Sequence, residues 1–293
     1  MFAKPTQIYP WLERKGTLSW LKLITFIALF LPAVWILYQW WNDDLFPKPI
    51  TELIHQTGDW AVRIIMISLA VTPLRRIANW PKLILVRRMI GVAAMCYALA
   101  HFTLYIVDQK YNLLTVASEI ALRIYLTIGF IALLGLITLG ATSTDAMIKR
   151  IGGQRWNTLH KIVYGIGVLA VLHYFMQSKI DATQATIIGG FFLYLMLYRL
   201  MNRFRLPTNA LTLAGLAIVA TAATVAMEAA WYRFGTSAPW YRIMLANLTP
   251  DIVIRPAWYV LAGGLALVVL NFVRLRMPSA APVRERQRVR TAG

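Results

Sequence analysis

Cysteine, acidic residues and charged residues in general are scarce in this sequence. The 293 residues include one cysteine, Cys96, so no disulfide can form within the chain. Charged residues make up 14% of the sequence and hydrophobic residues 59%. This balance lies outside the range of soluble domains and is typical of proteins that cross a membrane several times. We therefore expect a single membrane domain.

Several sequence motifs for cofactors are also absent. The chain has no C-x-x-C-H motif for covalent haem attachment and no set of cysteines for an iron–sulfur cluster. It has no G-x-G-x-x-G motif after a strand for a nicotinamide. Such a chain is not a complete NADPH-driven reductase, so any electron transfer requires a separate donor and a separate acceptor.

Apolar runs close to the length needed to cross a membrane recur eight times. A helix rises 1.5 Å per residue, so about 20 apolar residues cross a hydrocarbon core of about 30 Å. We expect an all-α polytopic membrane helix bundle, and no internal repeat is evident in the sequence. The predicted spans are 23–41, 60–74, 89–107, 124–141, 158–177, 186–200, 211–230 and 257–273.

The charges are divided unevenly between the two sides that these spans define. Most of the 30 basic residues lie near the chain ends and in the loops 75–88, 142–157 and 199–208, and most of the 12 acidic residues lie in the other loops. Basic loops are retained in the cytoplasm, so both termini are predicted to be cytoplasmic. The net charge of +18 is explained by this orientation and by contact with membrane lipid. We expect no nucleic-acid partner, because the charge falls in short pieces between apolar runs.

Two of the four histidines are expected at the same depth in the membrane. His101 and His173 each lie a few residues before the outer end of a predicted span, the third and the fifth, roughly 10 Å below the outer boundary. Two imidazoles from different helices at one depth can supply both axial ligands of a haem iron, an arrangement suited to electron transfer. The alternative is a pair of histidines that only hydrogen-bond to neighbouring helices.

A third histidine, His160, is predicted on the cytoplasmic side, roughly 20 Å along the helix from His173. Arg88 occupies the corresponding position before His101, so a second bis-histidine haem is not predicted. The basic cluster near His160 is suited to an anionic cofactor, such as a flavin phosphate, or to the edge of a quinol site. Alternatively, these arginines only keep the loops in the cytoplasm. The cluster consists of Arg75, Arg76, Arg87, Arg88 and His160.

Three further residues lie on the predicted outer side. Arg63 and Arg123 begin the second and fourth spans, at the level where the propionates of a haem held by His101 and His173 would emerge. We predict that they bind these propionates, with snorkelling to the membrane boundary as the alternative. His55 is expected either to line the outer edge of that haem or to make a local hydrogen bond at the interface.

A series of short motifs between residues 18 and 205 resembles a known family. The sequence is similar to the MsrQ family, the haem-binding membrane subunits of periplasmic methionine sulfoxide reductase systems, within the ferric-reductase-like transmembrane superfamily. In chain order, the motifs are LPAVW, HQTG at His55, TPLRR, RRMIG, ALAHFTLY around His101, RIYLTIG at Arg123, TSTDAM, and WNTLHKIVY followed by LHYF.

The resemblance implies haem b and FMN as cofactors and places His101, His160 and His173 at the family's functional histidine positions. It implies a location in the bacterial inner membrane, with electrons supplied by the quinone pool or a cytosolic flavin reductase. The acceptor would be MsrP, a periplasmic molybdoprotein that reduces methionine sulfoxide in oxidised proteins. The chain would then be an electron-transfer subunit rather than a complete enzyme.

The resemblance ends near Pro207, because MsrQ-like chains typically stop near the sixth span. We expect a six-span haem-binding core at 1–206, an additional transmembrane hairpin at 207–275 and a basic cytoplasmic tail at 276–293. The hairpin and tail contain no histidine. Two other functions are compatible with the sequence: a transmembrane reductase of ferric or other metal ions, and a non-redox transporter or scaffold.

Overall fold

The computed structural model describes residues 9–13, 16–178, 181–236, 239–249 and 253–276. Within these ranges the chain is almost entirely helical, and the only extended pairing is an isolated bridge between Leu12 and Leu18. The helices are α1 (Trp20–Trp41), α2 (Pro49–Ile77), α3 (Arg87–Asp108), α4 (Leu113–Leu122), α5 (Ile124–Ala141), α6 (Asp145–Ile151), α7 (Gly153–Leu159), α8 (Val163–Gln177), α9 (Thr183–Arg203), α10 (Ala210–Gly235), α11 (Trp240–Leu248) and α12 (Pro256–Arg276).

Seven helical segments in the described part of the chain are long and apolar enough to cross a membrane. They contain α1, α3, α5, α8, α9, α10 and α12, which confirms the predicted all-α polytopic membrane bundle. The other predicted span, 60–74, lies in α2, whose 29 residues exceed the spanning length. α2 is less apolar because it carries Asp59 and Arg63. The count of eight spans and the cytoplasmic placement of both termini remain predictions.

α2 and α9 form the centre of the bundle. α2 packs along α3, and α9 contacts α2, α8, α10 and α12. In its most apolar window, 56% of α9 is buried, compared with 11% of α1. α1 therefore lies at the periphery, where its exposed apolar side chains are suited to contact lipid.

Small residues bring α10 and α12 close to α9 and to each other. A Cβ atom at Gly190 of α9 would lie 2.5 Å from Thr224 Oγ1 and 2.6 Å from Val260 Cγ2. A Cβ atom at Gly264 of α12 would lie 2.5 Å from the Cβ of Ala217. Close backbone approach of this kind is a common way to pack membrane helices. The hairpin predicted at 207–275 is thus packed directly against the core.

A buried ion pair joins the two long helices of this hairpin, near the C-terminal end of α10 and the N-terminal end of α12. Glu228 of α10 is 1% exposed, and its carboxylate lies 2.6 Å from Nη2 of Arg255, which directly precedes α12. The side-chain amide of Asn247 on α11 donates a hydrogen bond of 2.9 Å to the same carboxylate. The Trp258 indole N–H donates to the Asn247 carbonyl oxygen. These contacts hold α11 against the ends of α10 and α12.

The predicted span 158–177 is not one continuous α-helix. A 3-10 turn, His160–Ile162, separates α7 from α8. The imidazole of His160 hydrogen-bonds through Nδ1 to the carbonyl oxygen of Trp156, 3.0 Å away, and the two rings are stacked with their centroids 3.8 Å apart. A side chain that binds a backbone carbonyl one turn earlier competes with the regular helical hydrogen bonds.

The structure describes most of the first two predicted regions of the chain but almost nothing of the third. The described residues of 1–206 and of 207–275 form adjoining parts of one bundle through the contacts of α9 with α10 and α12. Apart from Arg276, the predicted tail 276–293 lies outside the described residues. The division into three regions remains a prediction.

Replacing Gly264 by alanine tests the packing of α12 against α10. We expect Gly264→Ala to lower the midpoint of thermal unfolding of the purified protein, because the new methyl group would overlap Ala217 and overpacking costs about 1–3 kcal/mol. Gly215→Ala on α10 is the matched control, because nothing lies within 4 Å of its added Cβ. Equal midpoints for the two variants would contradict the observed packing.

Candidate functional site

A cavity with a volume of about 420 Å³ lies between α2, α3, α5 and α8. We call it the histidine cavity, because His101 of α3 and His173 of α8 both line it. Its deeper walls are apolar and include Val62, Ile65, Ala98, Phe130, Ala132, Leu133, Leu136 and Ala170. Its polar lining consists mainly of His55, Asp59, Tyr105, Tyr125, Tyr174, Gln177, Ser178, Asp181 and Gln184.

The imidazole rings of His101 and His173 face the same space. Their centroids are 6.3 Å apart and their planes are inclined at 81°. Two imidazoles that bind one metal ion from opposite sides, each at about 2 Å, hold their ring centres roughly 6 Å apart. The structure therefore places the two histidines at a separation suited to shared axial ligation.

Each of these histidines is oriented by a backbone carbonyl on a neighbouring helix. His101 Nδ1 lies 2.8 Å from the carbonyl oxygen of Ile54 on α2, and His173 Nδ1 lies 2.8 Å from that of Tyr125 on α5. A carbonyl oxygen only accepts hydrogen bonds, so the proton of each neutral ring is on Nδ1. The lone pair is then on Nε2, which is the arrangement that a metal-binding histidine requires.

A glycine one turn after each carbonyl makes room for the ring. A Cβ atom at Gly58 would lie 2.9 Å from His101 Nδ1, and one at Gly129 would lie 2.7 Å from both Cε1 and Nδ1 of His173. A larger side chain at either position would displace the imidazole. The sequence analysis did not identify these two glycines, which lie directly against the two imidazole rings.

The two halves of the site repeat one structural pattern. The carbonyl that accepts the bond precedes its histidine by 47 residues in the first half and by 48 in the second. In each half, glycine follows the carbonyl residue four positions later, at Gly58 and Gly129. Gly58 precedes His101 by nearly the same number of residues as Gly129 precedes His173. A search of the sequence for this repeated spacing could have found the correspondence, although the surrounding residues are apolar in both halves and give no further signal.

Arg63 and Arg123, the two arginines predicted on the outer side, do not line the histidine cavity. Arg63 forms an ion pair with Asp59 at 3.5 Å and a hydrogen bond with Gln184 at 3.4 Å, and both partners belong to the cavity lining. Arg123 forms an ion pair with Glu119 and donates to the Tyr125 hydroxyl at 3.2 Å. Both arginines thus lie beside the cavity, and their predicted binding of propionates remains a prediction.

The predicted cytoplasmic cluster is only partly assembled. Arg87 lies within electrostatic reach of Arg75 and of Arg199, which the sequence analysis had counted only as a loop charge. Arg199 donates a hydrogen bond of 2.7 Å to the Leu69 carbonyl oxygen and lies 5.0 Å above the ring of Tyr164.

The other two arginines of this cluster are paired elsewhere. Arg76 donates to Asn202 at 2.8 Å, and Arg88 forms an ion pair with Asp145. His160 lies within electrostatic reach of Arg87. It differs from His101 and His173 because its second ring nitrogen also has a partner, Ser143 Oγ at 3.3 Å. The position of His160 favours a hydrogen-bonding role.

Among the described residues, no group of three or more His, Cys, Asp or Glu side chains is arranged to hold a metal ion. A bare ion bound only by protein ligands usually requires three or four of them. The histidine cavity supplies two nitrogen ligands in a roomy apolar space. This arrangement is suited to a metal ion that brings its remaining ligands in a flat organic ring.

The chain is similar to several known proteins. Residues 57–171 match the family described as "Ferric reductase like transmembrane component". A relative from Herminiimonas arsenicoxydans is 37% identical over 201 residues, covering 68% of this chain and 92% of the relative. One from Rhodospirillum rubrum is 36% identical, covering 63% and 89%, and one from Polaromonas naphthalenivorans is 40% identical, covering 55% and 76%. No solved structure matches the chain.

The helix bundle and the family match define a ferric-reductase-like transmembrane protein. The relatives just described each bear the name "Protein-methionine-sulfoxide reductase heme-binding subunit MsrQ". The chain belongs to the MsrQ family, which confirms the resemblance seen in the sequence.

Asp181, at the mouth of the histidine cavity, offers a test of the local structure through its pH dependence. Hydrogen bonds from the Thr183 side chain and backbone N–H lower the pKa of Asp181 below its usual range. A carboxyl group with a lowered folded-state pKa stabilises the fold above its unfolded pKa, and this contribution is lost as the pH falls through the folded pKa. We expect unfolding midpoints to fall more steeply for the wild type than for Asp181→Asn between about pH 5 and pH 3. Parallel pH profiles would contradict these bonds.

Proposed function

We propose that this chain is a membrane cytochrome b subunit that holds one haem b in the histidine cavity, with His101 and His173 as the two axial ligands. The single observation that carries this proposal is the pair of imidazoles with centroids 6.3 Å apart, both oriented through Nδ1 by backbone carbonyls. The printed names of the relatives, which describe haem-binding subunits, support the same cofactor.

The lining of the histidine cavity fits such a group. Apolar side chains surround the ring-sized space, and Gly58 and Gly129 leave the imidazoles unobstructed. Polar side chains, including Tyr105, Tyr174 and Gln184, are available for the acidic edge of the macrocycle. Haem in this position supplies reversible one-electron transfer.

The residues around the histidine cavity favour electron transfer over ligand activation. If His101 and His173 both held the haem iron, they would leave no position on it open for oxygen or substrate. The Ile54 and Tyr125 carbonyls hold the rings in place and increase the basicity of Nε2 by accepting a hydrogen bond from Nδ1–H. The apolar walls limit the access of water.

We propose that electrons move from the cytoplasmic side to the periplasmic side of the bacterial inner membrane. The donor is the quinone pool or a cytosolic flavin reductase, and the acceptor is an MsrP-like molybdoprotein that repairs oxidised periplasmic proteins. The cluster of Arg75, Arg87 and Arg199 is suited to an anionic donor or to the phosphate of FMN. His160, within reach of Arg87, belongs to this receiving region. The names of the relatives, which describe reductase subunits, support an acceptor of this class.

We also propose that residues 1–206 form the haem-binding core, that 207–275 form an additional hairpin and that 276–293 form a basic tail. All residues of the histidine cavity belong to the first of these regions, which is consistent with this division. The hairpin then supports the core from outside and supplies no ligand.

Absorption spectra of purified variants test the proposed ligands. We expect the wild type to show a reducible b-type spectrum and His101→Ala and His173→Ala each to lose it, because each variant leaves only one axial imidazole. His160→Ala should keep the spectrum but be reduced more slowly from the cytoplasmic side. A folded but colourless wild type would instead support a transporter or scaffold. Loss of all haem in His160→Ala would overturn the assignment of the ligands.

The glycine positions give a second and finer test. We expect Gly129→Ala to weaken haem retention by about 10–100-fold, the effect usually seen when the outer partner of a metal-binding histidine is disturbed. The added methyl group would lie 2.7 Å from the His173 ring and so separate it from the Tyr125 carbonyl. Gly165→Ala on α8 is the matched control, because nothing lies within 4 Å of its added Cβ. Equal haem retention in the two variants would argue against His173 as a ligand.

A further inference from the structure

A second cavity lies between the core and the added hairpin, at the end of the bundle opposite Asp59 and Asp181. Its volume is about 250 Å³, and we call it the arginine cavity. It is formed where the last turn of α2, the loop before α10 and the last turns of α12 meet. Its lining consists of Arg76, Ile77, Asn79, Thr208, Asn271, Arg274 and Leu275.

The lining of the arginine cavity is strongly positive. Two of its seven residues are arginines and none is acidic. Between Asp181 and Glu228, which includes the loop that carries Thr208, the sequence has no acidic residue at all. Arg76 is held by a hydrogen bond of 2.8 Å from Nη1 to Asn202, which fixes the position of its guanidinium. Two guanidinium groups in one recess are well suited to a phosphate group.

Asn271 points to a ligand independently of the arginines. It lies near the end of an apolar helix and is 5% exposed, yet its side-chain oxygen has no hydrogen-bond partner among the described residues. A buried polar group without a partner is costly in a membrane helix. The amide can accept a hydrogen bond from a ligand hydroxyl or turn to donate its NH₂ to a phosphate oxygen. Thr208 adds a hydroxyl to the same lining.

Exposed apolar side chains lie beside the arginine cavity. Leu275 lines the cavity and is 72% exposed, and Leu206 and Leu211 on the adjoining segment are 51% and 82% exposed. One end of a ligand in the cavity would therefore contact the arginines, and the rest of the ligand would lie along apolar side chains. Phospholipids have this combination, and basic recesses between membrane helices are known to take anionic headgroups.

We propose that the arginine cavity binds the phosphate group of an anionic phospholipid, which connects the core to the added hairpin. The headgroup contacts Arg76 from α2 and Arg274 from α12 at once, so one ligand bridges the two regions. The acyl chains then extend along the exposed leucines of α10 and α12. This inference is independent of the haem and does not require a particular orientation of the chain, because headgroups occur at both membrane surfaces.

Lipid titration of the purified, delipidated full chain in detergent tests the proposal. The unfolding midpoint is measured with added phosphatidylglycerol, phosphatidylcholine or inorganic phosphate. We expect a rise with phosphatidylglycerol only, because a ligand of the folded state raises the midpoint. The Arg76→Gln/Arg274→Gln double variant should bind phosphatidylglycerol about 10–30-fold more weakly. This is the loss of affinity expected when two basic residues no longer attract an anionic headgroup.

The matched control is Arg203→Gln/Arg205→Gln, which removes the same charge from exposed positions that do not line the cavity. Size-exclusion chromatography checks that each variant remains monodisperse. Equal loss of lipid binding in both double variants would overturn the proposal, as would a wild type that responds equally to phosphatidylcholine. An equal rise with inorganic phosphate would overturn the assignment to lipid and make a soluble phosphate compound the ligand.

Discussion

The structure of the histidine cavity depends on two hydrogen bonds from imidazole to backbone carbonyl. A helical carbonyl normally accepts only the bond of its own helix, but Ile54 and Tyr125 each also accept one from a histidine on the next helix in space. These bonds fix the tautomer and the direction of both rings. They also require α2 to stay close to α3, and α5 close to α8, which is why a glycine follows each carbonyl by one turn. The positions of the four helices and the chemistry of the rings are therefore set by the same contacts.

Much of this architecture could be predicted from the sequence because the membrane imposes simple rules. Helix rise and hydrophobic length gave the spans, and the predicted span 124–141 coincides with α5. The equal depth of His101 and His173 was predicted by the same arithmetic, and the structure places their ring centroids 6.3 Å apart. In contrast, the span 60–74 was drawn too short, since α2 begins at Pro49. Its first turns carry polar residues such as Glu52, Gln56 and Asp59, so the hydropathy of the sequence excluded them from the predicted span.

Other features could not be predicted, because they depend on contacts between distant segments. A backbone carbonyl has no signature in a sequence, so the roles of Ile54 and Tyr125 were invisible, and their glycines resembled ordinary helix-packing residues. Arg199 was counted as a loop charge, although it reaches back to Leu69 in the neighbouring helix. The predicted continuous helix through His160 ignored the bond of its ring to the Trp156 carbonyl. In each case, a local pattern was overridden by a partner elsewhere in the chain.

The ion pair between Glu228 and Arg255 has a consequence for how the chain enters the membrane. When α10 is synthesised, the carboxylate of Glu228 has no cation beside it, because Arg255 follows 27 residues later in the sequence. An unpaired acidic residue makes the insertion of an apolar helix into the membrane less favourable, whereas an acidic residue paired with a basic one has a much smaller effect. The Glu228–Arg255 ion pair thus couples the two long helices of the hairpin energetically, because α10 without Arg255 would bury an acidic group that lacks its cation.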